Sequence, residues 1–458
     1  MNNKLKEAEK TLGAIDCLVI YRNIFNDPVL ERFRNLLNMV IDEDPGSLAI
    51  YNGLIGELLE KGFDKRRQGR DIFKEHFLET ILSAENAFSL ATEKADLLNT
   101  DDLLVKVVKN DLLMLKTIYD YNLADLGEYL KGYYMNSSFV PIAEEPYSGL
   151  NWLSVSNTKK YPVQYHVKKE QLKELFHSLN SWSSAVEELA VYYKETGSGI
   201  FARFWAFKWN GSAARPGLRG IDNPDPIRMD DLVGYKDQQE MITRNTEQFV
   251  KGLPANNILL YGDRGTGKSS TIKSLVHIFG HRGLRIIEVS KSDLLSLPDI
   301  LAAIRSRAQK FILFIDDLSF EESETEYKEL KALLEGSIEK PPANVLLYAT
   351  SNRRNLVREY FSDREPDEVG KQDTYQEKLS LVDRFGIKIL YPSPDKWEYL
   401  RTVEELARKS DINIDKAQLH DLALRWVIWH NSRSGRAARQ FVNDLKGKIG
   451  LHVLDGLS

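Results

Sequence analysis

The stretch Ile258-Leu-Leu-Tyr-Gly-Asp-Arg-Gly-Thr-Gly-Lys-Ser269 decides the fold of the C-terminal half of this chain. Its first four residues form a short apolar run that is typical of a buried strand, and residues 262–269 match the pattern G-x-x-x-x-G-K-[ST] in full. A segment with helical periodicity follows directly. The sequence therefore predicts a strand, a glycine-rich loop and a helix that together bind the phosphates of a nucleotide.

Each residue type in this loop has a physical reason. Glycine lets the backbone curl so that successive N–H groups point at phosphate oxygens, and the helix N-terminus adds partial positive charge. Lys268 is expected to reach the β- and γ-phosphates, and the Ser269 hydroxyl to ligate Mg²⁺. The candidate nucleotide-binding residues of the loop are Gly262, Asp263, Arg264, Gly265, Thr266, Gly267, Lys268, Ser269 and Ser270.

A second apolar run, 311–315, ends in the carboxylates of Asp316 and Asp317. The interval from Lys268 leaves room for a helix, a strand and another helix before this run. We expect Asp316 to hold Mg²⁺ through a water molecule, and Asp317 to orient and polarise the attacking water. The alternative is that the two acids cap the next turn.

Short β-rich runs alternate with helical segments beyond residue 227, which predicts a parallel α/β sheet of five strands. From about residue 395 the β-rich runs stop, and three helical segments predict a small C-terminal helical subdomain. The predicted strands lie near 257–261, 285–289, 311–315, 345–349 and 387–391, and the predicted helices near 395–409, 416–430 and 434–448.

The N-terminal half shows apolar positions every three or four residues, which predicts a mostly α-helical domain over 1–208. It contains no catalytic motif. Glycine and proline crowd the next stretch, which lacks apolar periodicity and is interpreted as a linker over 209–226. The predicted organisation is completed by a nucleotide-binding core over 227–392 and a helical lid over 393–458.

Composition restricts the class of protein. Of 458 residues, 42% are apolar and 28% charged, which is typical of a globular protein and excludes disorder along most of the chain. The single cysteine, Cys17, excludes an intrachain disulfide, and no signal peptide or membrane-spanning run is apparent, so we expect a cytoplasmic protein with no membrane partner. The net charge of −5 comes from an acidic excess in the N-terminal half, and the C-terminal half is near neutral.

Further segments occur in an order that resembles the AAA+ superfamily of P-loop ATPases, and the resemblance covers about residues 227–458. Asp230-Asp-Leu-Val-Gly-Tyr235 is similar to the segment that contacts adenine in this superfamily, which implies a binding role for Gly234 and Tyr235. Residues 345–352 are similar to the fourth strand and its sensor 1 residue. Asn352 would then hydrogen-bond the γ-phosphate or the lytic water, and ATP and Mg²⁺ are the implied cofactors.

Two arginines complete the resemblance. Arg384, in Asp383-Arg-Phe-Gly386, is similar to the arginine finger that enters the active site of a neighbouring subunit, which implies a homo-oligomer. An arginine supplied in trans can raise the rate of phosphoryl transfer by about 10³–10⁵-fold. Arg436 lies where the superfamily places sensor 2, which touches the γ-phosphate in cis, and Arg439 is the alternative. Both Arg384 and Arg436 could instead form ordinary surface ion pairs.

One departure from the superfamily concerns turnover. Most AAA+ ATPases have glutamate at the second acidic position, where this chain has the shorter Asp317. The shorter side chain is expected to affect the rate of hydrolysis but not nucleotide binding. Glu321 and Glu322 are alternative catalytic acids. The segments 315–321, 348–354 and 377–386 also resemble an uncharacterised family of bacterial ATP-binding proteins, a domain of unknown function.

The leading hypothesis is an ATPase that couples Mg-ATP hydrolysis to remodelling or loading of a protein or nucleic-acid client, which the helical N-terminal domain would recognise. Hydrolysis would rotate the helical lid and move that domain. The alternative is an ATP-binding switch or adaptor with little hydrolysis, which Asp317 favours. A small-molecule kinase on the same loop is a third hypothesis, and it would need an acceptor pocket and an arginine-rich lid.

Three other features are interpreted as structural. Phe201, Phe204, Trp205 and Trp209 fall on one helical face and are expected to dock on the body of the protein rather than stack on nucleic-acid bases. His277 and His281 have the spacing of a helical metal pair, but Gly280 weakens that helix. Residues 353–377 are predicted to form an exposed polar segment that contacts a substrate or is simply solvated.

Overall fold

The computed structural model describes residues 2–62, 71–94, 102–135, 167–211, 217–319, 342–352 and 383–451, together with Leu330 and Leu334. The chain divides into two compact units, Met1–Arg203 and Phe204–Ser458. In the described ranges, no helix is long and apolar enough to cross a membrane.

The first unit is helical throughout its described residues, which confirms the prediction for the N-terminal half. Many apolar positions of this half are buried; on the helix Pro28–Ile41, for example, they are Val29, Phe33, Leu36, Leu37 and Val40. The helices are α1 (Asn2–Asp16), α2 (Pro28–Ile41), α3 (Ser47–Gly62), α4 (Ile72–Leu82), α5 (Ala87–Lys94), α6 (Leu103–Tyr119), α7 (Leu123–Met135), α8 (Val167–Ser178), α9 (Val186–Thr196) and α10 (Ile200–Arg203).

A buried carboxylate on α6 holds the segment between α1 and α2. Asp111 is fully buried, and its side chain accepts hydrogen bonds from the backbone N–H groups of Val19, Ile20 and Tyr21 at 3.1, 2.7 and 2.9 Å. Hydrogen bonds to an ionised acceptor are stronger than neutral ones. Asp111 therefore fixes the path of the chain where it leaves α1 and enters the core.

The second unit is built on a seven-stranded sheet with the order β2-β1-β4-β5-β6-β3-β7. All neighbouring strands pair in parallel except β1 and β2, which are antiparallel. The strands are β1 (Ala206–Asn210), β2 (Gly217–Gly220), β3 (Ile258–Gly262), β4 (Leu284–Glu288), β5 (Lys310–Ile315), β6 (Val345–Ser351) and β7 (Ile387–Tyr391). The predicted α/β fold with a parallel P-loop sheet is confirmed.

The glycine-rich loop follows β3, the strand next to β7 at one side of the sheet. β3 lies between β6 and β7, and the chain leaves β3 through α12 to reach β4 on the far side of β5. In open α/β sheets, ligands bind at the carboxyl ends of the strands where the strand order reverses. The helices around the sheet are α11 (Lys236–Val250), α12 (Lys268–Phe279) and α13 (Leu297–Ile304).

The prediction of five strands was wrong, because β1 and β2 extend the sheet beyond β4. The structure also differs from the predicted linker over 209–226, since β1 ends at Asn210 and β2 follows at Gly217–Gly220. Glycine-rich sequence with no apolar period is typical of a linker, but here it forms a short antiparallel pair in which Phe207 lies opposite Gly220. Pairing with β4, which is distant in sequence, stabilises a strand that local pattern does not predict.

The aromatic stretch forms a strand and not the predicted continuous helical face. α10 ends at Arg203, and Trp205, Phe207 and Trp209 are buried at every second position. Phe201, Trp205 and Trp209 fit a helical spacing of four, whereas Trp205, Phe207 and Trp209 fit a strand spacing of two, so the pattern alone was ambiguous. Trp205 packs against Gly280, where an added Cβ would lie 2.2 Å from its ring. The burial of Trp205, Phe207 and Trp209 agrees with the expectation that the aromatic residues dock on the body of the protein.

The C-terminal helical subdomain is a three-helix bundle: α14 (Lys396–Lys409), α15 (Lys416–His430) and α16 (Gly435–Gly450). These bounds match the predicted helices closely. Asp395 and Glu398 form a capping box at the start of α14, and the Ser434 hydroxyl accepts from Ala437 N–H at the start of α16. The bundle has its own core, which includes Tyr399, Val403, Ala423, Phe441 and Leu445.

The three N–H groups held by Asp111 give a stability prediction for the first unit. We expect Asp111→Asn to lower the free energy of unfolding by about 2–4 kcal/mol, because the amide loses the charge and turns an N–H₂ group towards backbone donors. Urea denaturation followed by circular dichroism measures this change. Asp120→Asn is the control. The Asp120 side chain is 55% exposed, and this substitution removes only its surface ion pair with Lys116. Equal losses in the two variants would contradict the prediction.

Candidate functional site

The loop of residues 262–269, called the glycine loop below, joins β3 to α12. Gly262 and Gly265 have φ angles of 131° and 76°, which favour glycine. At Gly262 an added Cβ would lie 2.1 Å from the carbonyl oxygen of Tyr391 in β7. Only glycine lets β3 and β7 approach this closely. The Thr266 hydroxyl donates to Asp263 O at 2.9 Å and closes the turn.

Lys268 begins α12, and its side chain turns back across the glycine loop. Its buried ammonium donates to Gly262 O at 2.8 Å, to Asp263 O at 2.6 Å and to Asn352 Oδ1 at 3.3 Å. Burial lowers the pKa of Lys268 below the ordinary lysine value, and nearby carboxylates, Asp263 foremost, oppose this shift. The cation is thus held at the loop by oxygen atoms that a phosphate could replace.

The next residue of α12 contacts the end of β5. The Ser269 hydroxyl donates to Asp316 Oδ1 at 2.5 Å, and the Thr350 hydroxyl of β6 donates to the same oxygen at 2.6 Å. A hydroxyl and a neighbouring carboxylate supply hard oxygen ligands, which Mg²⁺ prefers. The structure therefore brings together Ser269 and Asp316, the two residues predicted to hold the metal.

Asp317 and Asn352 form a second pair at the same edge. Asn352 Nδ2 donates to Asp317 Oδ1 at 2.5 Å, while Asn352 Oδ1 accepts from Lys268. The amide orientation follows from these partners, because an ammonium only donates and a carboxylate only accepts. Asp317 has a φ of 52°, in the left-handed region that aspartate tolerates better than most residues. Asn352 thus links the lysine of the loop to the second acid.

Parallel pairing explains why these residues converge. Tyr261 of β3 lies opposite Ser351 of β6, and Ile315 of β5 lies opposite Ala349 of the same strand. The carboxyl ends of neighbouring parallel strands meet at one sheet edge. Residues that follow β3, β5 and β6 are therefore adjacent in space although they are far apart in sequence.

The helical subdomain contacts the glycine loop directly through the start of α16. The backbone N–H of Arg436 donates to Gly265 O at 3.1 Å. An added Cβ on Gly265 would lie 2.8 Å from Ser434 Oγ and 3.2 Å from Arg436 Cβ. Arg436 is therefore placed at the loop, and Arg439 lies about one turn further along α16.

The predicted adenine segment and the glycine loop share one anchor, the chain that follows β7. The Tyr235 hydroxyl donates to Pro392 O at 2.5 Å, and its ring centroid lies 4.8 Å from that of Tyr391. The Ser393 hydroxyl donates to Asp263 Oδ2 at 2.5 Å. Burial raises the pKa of Tyr235 to about 12. Gly234, with a φ of 84°, turns the chain into this position.

Arg384 is not brought to the glycine loop. It precedes β7, whose first residue Ile387 lies opposite Ile258, whereas the last residue of β7 lies opposite Gly262. The rise along a strand is about 3.3 Å per residue, so the two edges of the sheet are roughly 13 Å apart over these positions. The exposed Arg384 therefore lies beyond the opposite edge of the sheet from the loop.

The other sequence candidates have simpler positions. Arg264 is exposed on the loop, and Ser270 lies in the first turn of α12. His277 Nε2 bonds Asp225 O at 2.7 Å, and no group of three metal-binding side chains occurs in the described part of the chain. Glu321, Glu322 and the segment 353–377 lie outside the described residues.

A family model described as "Protein of unknown function (DUF815)" matches residues 202–449, which is more than half of the chain. The chain belongs to this family. The matched region begins just before β1 and ends within α16, so it includes the whole sheet and the glycine loop. A search of curated proteins finds no match.

Solved structures resemble the half of this DUF815 protein that contains the sheet. The Holliday junction branch migration motor RuvB of Thermotoga maritima is 16% identical with a TM-score of 0.35, over 51% of this chain and 68% of its own. The AAA domain of FIGL-1 in complex with ADP is 17% identical with a TM-score of 0.35, over 51% of this chain and 77% of its own. The largely parallel sheet and the β3–loop–α12 connection give this half of the chain a P-loop α/β fold.

Sequence reasoning missed three hydroxyl residues that hold this DUF815 site. Thr350 bonds both acidic residues, Ser393 bonds Asp263, and Ser434 lies against Gly265. A signal existed only for Thr350, because it is two residues before Asn352 in a strand and therefore shares its face. The partners of the two serines come from elements too distant in sequence to be recognised by pattern.

The contact between Gly265 and α16 gives a prediction for this family member. In Gly265→Ala the new Cβ displaces Ser434, whose hydroxyl caps α16, so the Arg436–Gly265 bond is lost. We expect faster hydrogen exchange in the first turn of α16, measured by mass spectrometry. Gly267→Ala is the control, because Gly267 also has a positive φ of 95° but no atom lies within 4 Å of its added Cβ. Equal exchange in the two variants would refute this contact.

Proposed function

We propose that this protein binds Mg-ATP at the glycine loop and hydrolyses it as an ATPase of the AAA+ type. The main support is the convergence at one loop of Asp316 and Asn352, from the ends of β5 and β6, with Lys268 from the start of α12. Ion pairs or caps would account for each residue alone, but not for their meeting beside a full G-x-x-x-x-G-K-[ST] loop.

The residues present fit both ATP and Mg²⁺. Lys268 is a buried cation whose partners are neutral oxygens, so a phosphate would be a stronger acceptor for it. Ser269 and Asp316 would hold Mg²⁺, which would neutralise charge on the phosphates. Gly234 and Tyr235 would contact the base, since they share an anchor with the loop at 391–393.

The chemistry assigned to the site is in-line attack of water on the γ-phosphorus, with cleavage of the bond to the ADP oxygen. One oxygen of Asp317 accepts from Asn352, and the other would orient the water and accept its proton. Asn352 and Arg436 would hydrogen-bond the γ-phosphate in cis, and Lys268 would neutralise charge that develops on the leaving group.

We assign Arg384 to the active site of a neighbouring subunit. Its position beyond the opposite edge of the sheet prevents it from serving its own glycine loop. A second copy that packs against the loop could supply it, and this would make turnover depend on assembly. The protein would therefore act as a homo-oligomer.

Hydrolysis would be transmitted through the helical subdomain. Arg436 N–H bonds the loop, and the chain leading into α14 bonds Asp263 and Tyr235. A change of phosphate state at the loop would therefore move α14–α16. We propose that this movement drives remodelling or loading of a protein or nucleic-acid client recognised by the N-terminal unit.

Mixing inactive variants tests the role of Arg384. We expect Arg384→Ala and Asp317→Asn each to lack steady-state ATPase activity, and a mixture of the two to regain part of it. In the mixture, an Asp317→Asn subunit can supply Arg384 to the intact loop of an Arg384→Ala subunit. ATP turnover is measured after the subunits have exchanged.

The matched control for this experiment is a mixture of Lys268→Ala with Asp317→Asn. Both changes damage the loop side of the site, so no arrangement of these subunits restores a complete site. Recovery in this control, or none in the Arg384→Ala mixture, would exclude an arginine supplied in trans.

A nucleotide-dependent switch with little hydrolysis is the second candidate function. Its support is the short Asp317 side chain, whose carboxylate is already bonded to Asn352 at 2.5 Å. If this contact persists with ATP bound, the carboxylate would be held away from the water and ATP would remain intact. Client binding would then follow nucleotide binding alone.

Single-turnover hydrolysis of Asp317→Glu separates the two functions. For an efficient ATPase we expect the wild-type chain to cleave bound ATP readily, and the substitution to change the rate by less than about tenfold. For a switch, the longer carboxylate would raise the rate by about 10²-fold or more, because a positioned general base contributes this much. Unchanged ATP affinity in both proteins is the control that isolates the chemical step.

A further inference from the structure

Thr350 lies at the centre of the acidic pair although it carries no charge. It is the sixth residue of β6, it is only 2% exposed, and its neighbour Ala349 lies opposite Ile315, the last residue of β5. This register places its side chain beside the turn that follows β5. That turn contains both acidic residues of the site.

The hydroxyl of Thr350 uses both of its hydrogen-bonding capacities there. It donates to Asp316 Oδ1 at 2.6 Å and accepts from the backbone N–H of Asp317 at 2.9 Å. The direction is fixed by chemistry, because a carboxylate accepts, an N–H donates and a hydroxyl has a single proton. One oxygen atom therefore links the side chain of the first acid to the backbone of the second.

The backbone of Thr350 contacts the same turn. Leu318 N–H donates to Thr350 O at 2.7 Å. Asp317 lies between Asp316 and Leu318, which both bond Thr350, and it adopts a φ of 52°. A left-handed residue persists only where its surroundings determine it. Thr350 thus holds the turn on both sides of Asp317 and aims that carboxylate at Asn352.

We propose that Thr350 is a positioning residue for the metal-binding and catalytic acids, a role that rests on the proposed ATPase function. Its hydroxyl keeps the Asp316 carboxylate facing Ser269 and keeps Asp317 in the conformation that reaches Asn352. Threonine suits this role, because branching at Cβ restricts the side chain to few rotamers within a strand. Valine has the same shape without the hydroxyl, and serine keeps the hydroxyl without the methyl group.

The first arm of the test uses the protein without nucleotide. In Thr350→Val, the Asp317 N–H loses its partner, so we expect faster hydrogen exchange at Asp317 and Leu318, with wild-type exchange restored in Thr350→Ser. Thr246→Val is the control, because Thr246 is also buried and its hydroxyl bonds Ile242 O and the Tyr348 hydroxyl rather than either acid. Unchanged exchange in Thr350→Val would overturn the proposal.

The second arm measures binding of a fluorescent ADP analogue during titration with MgCl₂. Residues that orient metal ligands typically contribute about 10–100-fold to metal affinity. We expect Thr350→Val to raise the Mg²⁺ concentration for half-maximal enhancement of binding by about this factor, with binding in EDTA unchanged. Thr350→Ser and Thr246→Val should stay within about threefold of wild type. Thr350→Ser as impaired as Thr350→Val would overturn the assignment to the hydroxyl.

The two arms distinguish failure of this inference from failure of the proposed function. If the wild-type protein binds the analogue with Mg²⁺ and Thr350→Val has the same Mg²⁺ dependence, the positioning role is wrong and the ATPase proposal stands. If the wild-type protein binds no analogue at any Mg²⁺ concentration, the proposed function fails and the role of Thr350 in it fails as well.

Discussion

Strands β3, β5 and β6 run parallel and in register, and they end at the same edge of the sheet. Backbone hydrogen bonds along the strands set this register, so the residues that follow each strand cannot shift independently. Asp316 and Asn352 directly follow β5 and β6, and Lys268 begins α12 after the glycine loop that follows β3. The contacts of Asp316 and Asn352 depend on this alignment, because a slip of one residue would turn the polar groups to the other face.

Charge within the site is balanced by hydrogen bonds rather than by direct ion pairs at short distance. The ammonium of Lys268 donates to two carbonyl oxygens and to Asn352, and the two acids receive hydroxyl and amide donors. Such neutral partners can be exchanged for phosphate oxygens or for a metal ion without breaking a salt bridge. Donors and acceptors held in this way are what the proposed phosphoryl transfer would use.

The glycine loop is also where the sheet and the helical subdomain meet within the second unit. Gly265 bonds the start of α16, and Asp263 bonds Ser393 just before α14. Because glycine has no Cβ, Gly262 can lie against the backbone of Tyr391 and Gly265 can lie against Ser434. Through these two contacts the glycine loop is linked to the start of α14 and to the start of α16.

Local pattern in the sequence determined the glycine loop, the five strands β3–β7, the three C-terminal helices and the helical character of the first unit. These features follow from residues close together in the chain: periodicity, capping aspartates and a loop with fixed glycine spacing. Their order also placed Lys268 and Asp316 at one sheet edge, because parallel strands leave little choice. Prediction of the site succeeded to the extent that its residues directly follow strands.

Tertiary structure alone decided the rest. β1 and β2 are strands because β4 offers an edge, not because their own residues demand it. Thr350 acquires its contacts from the register of β5 and β6, and Asp317 acquires its left-handed backbone from those contacts. Arg384 lies at the amino ends of the strands, opposite the glycine loop, because it precedes β7. Each of these depends on pairing between segments distant in sequence, and the free energy of such pairing is not encoded in any local pattern.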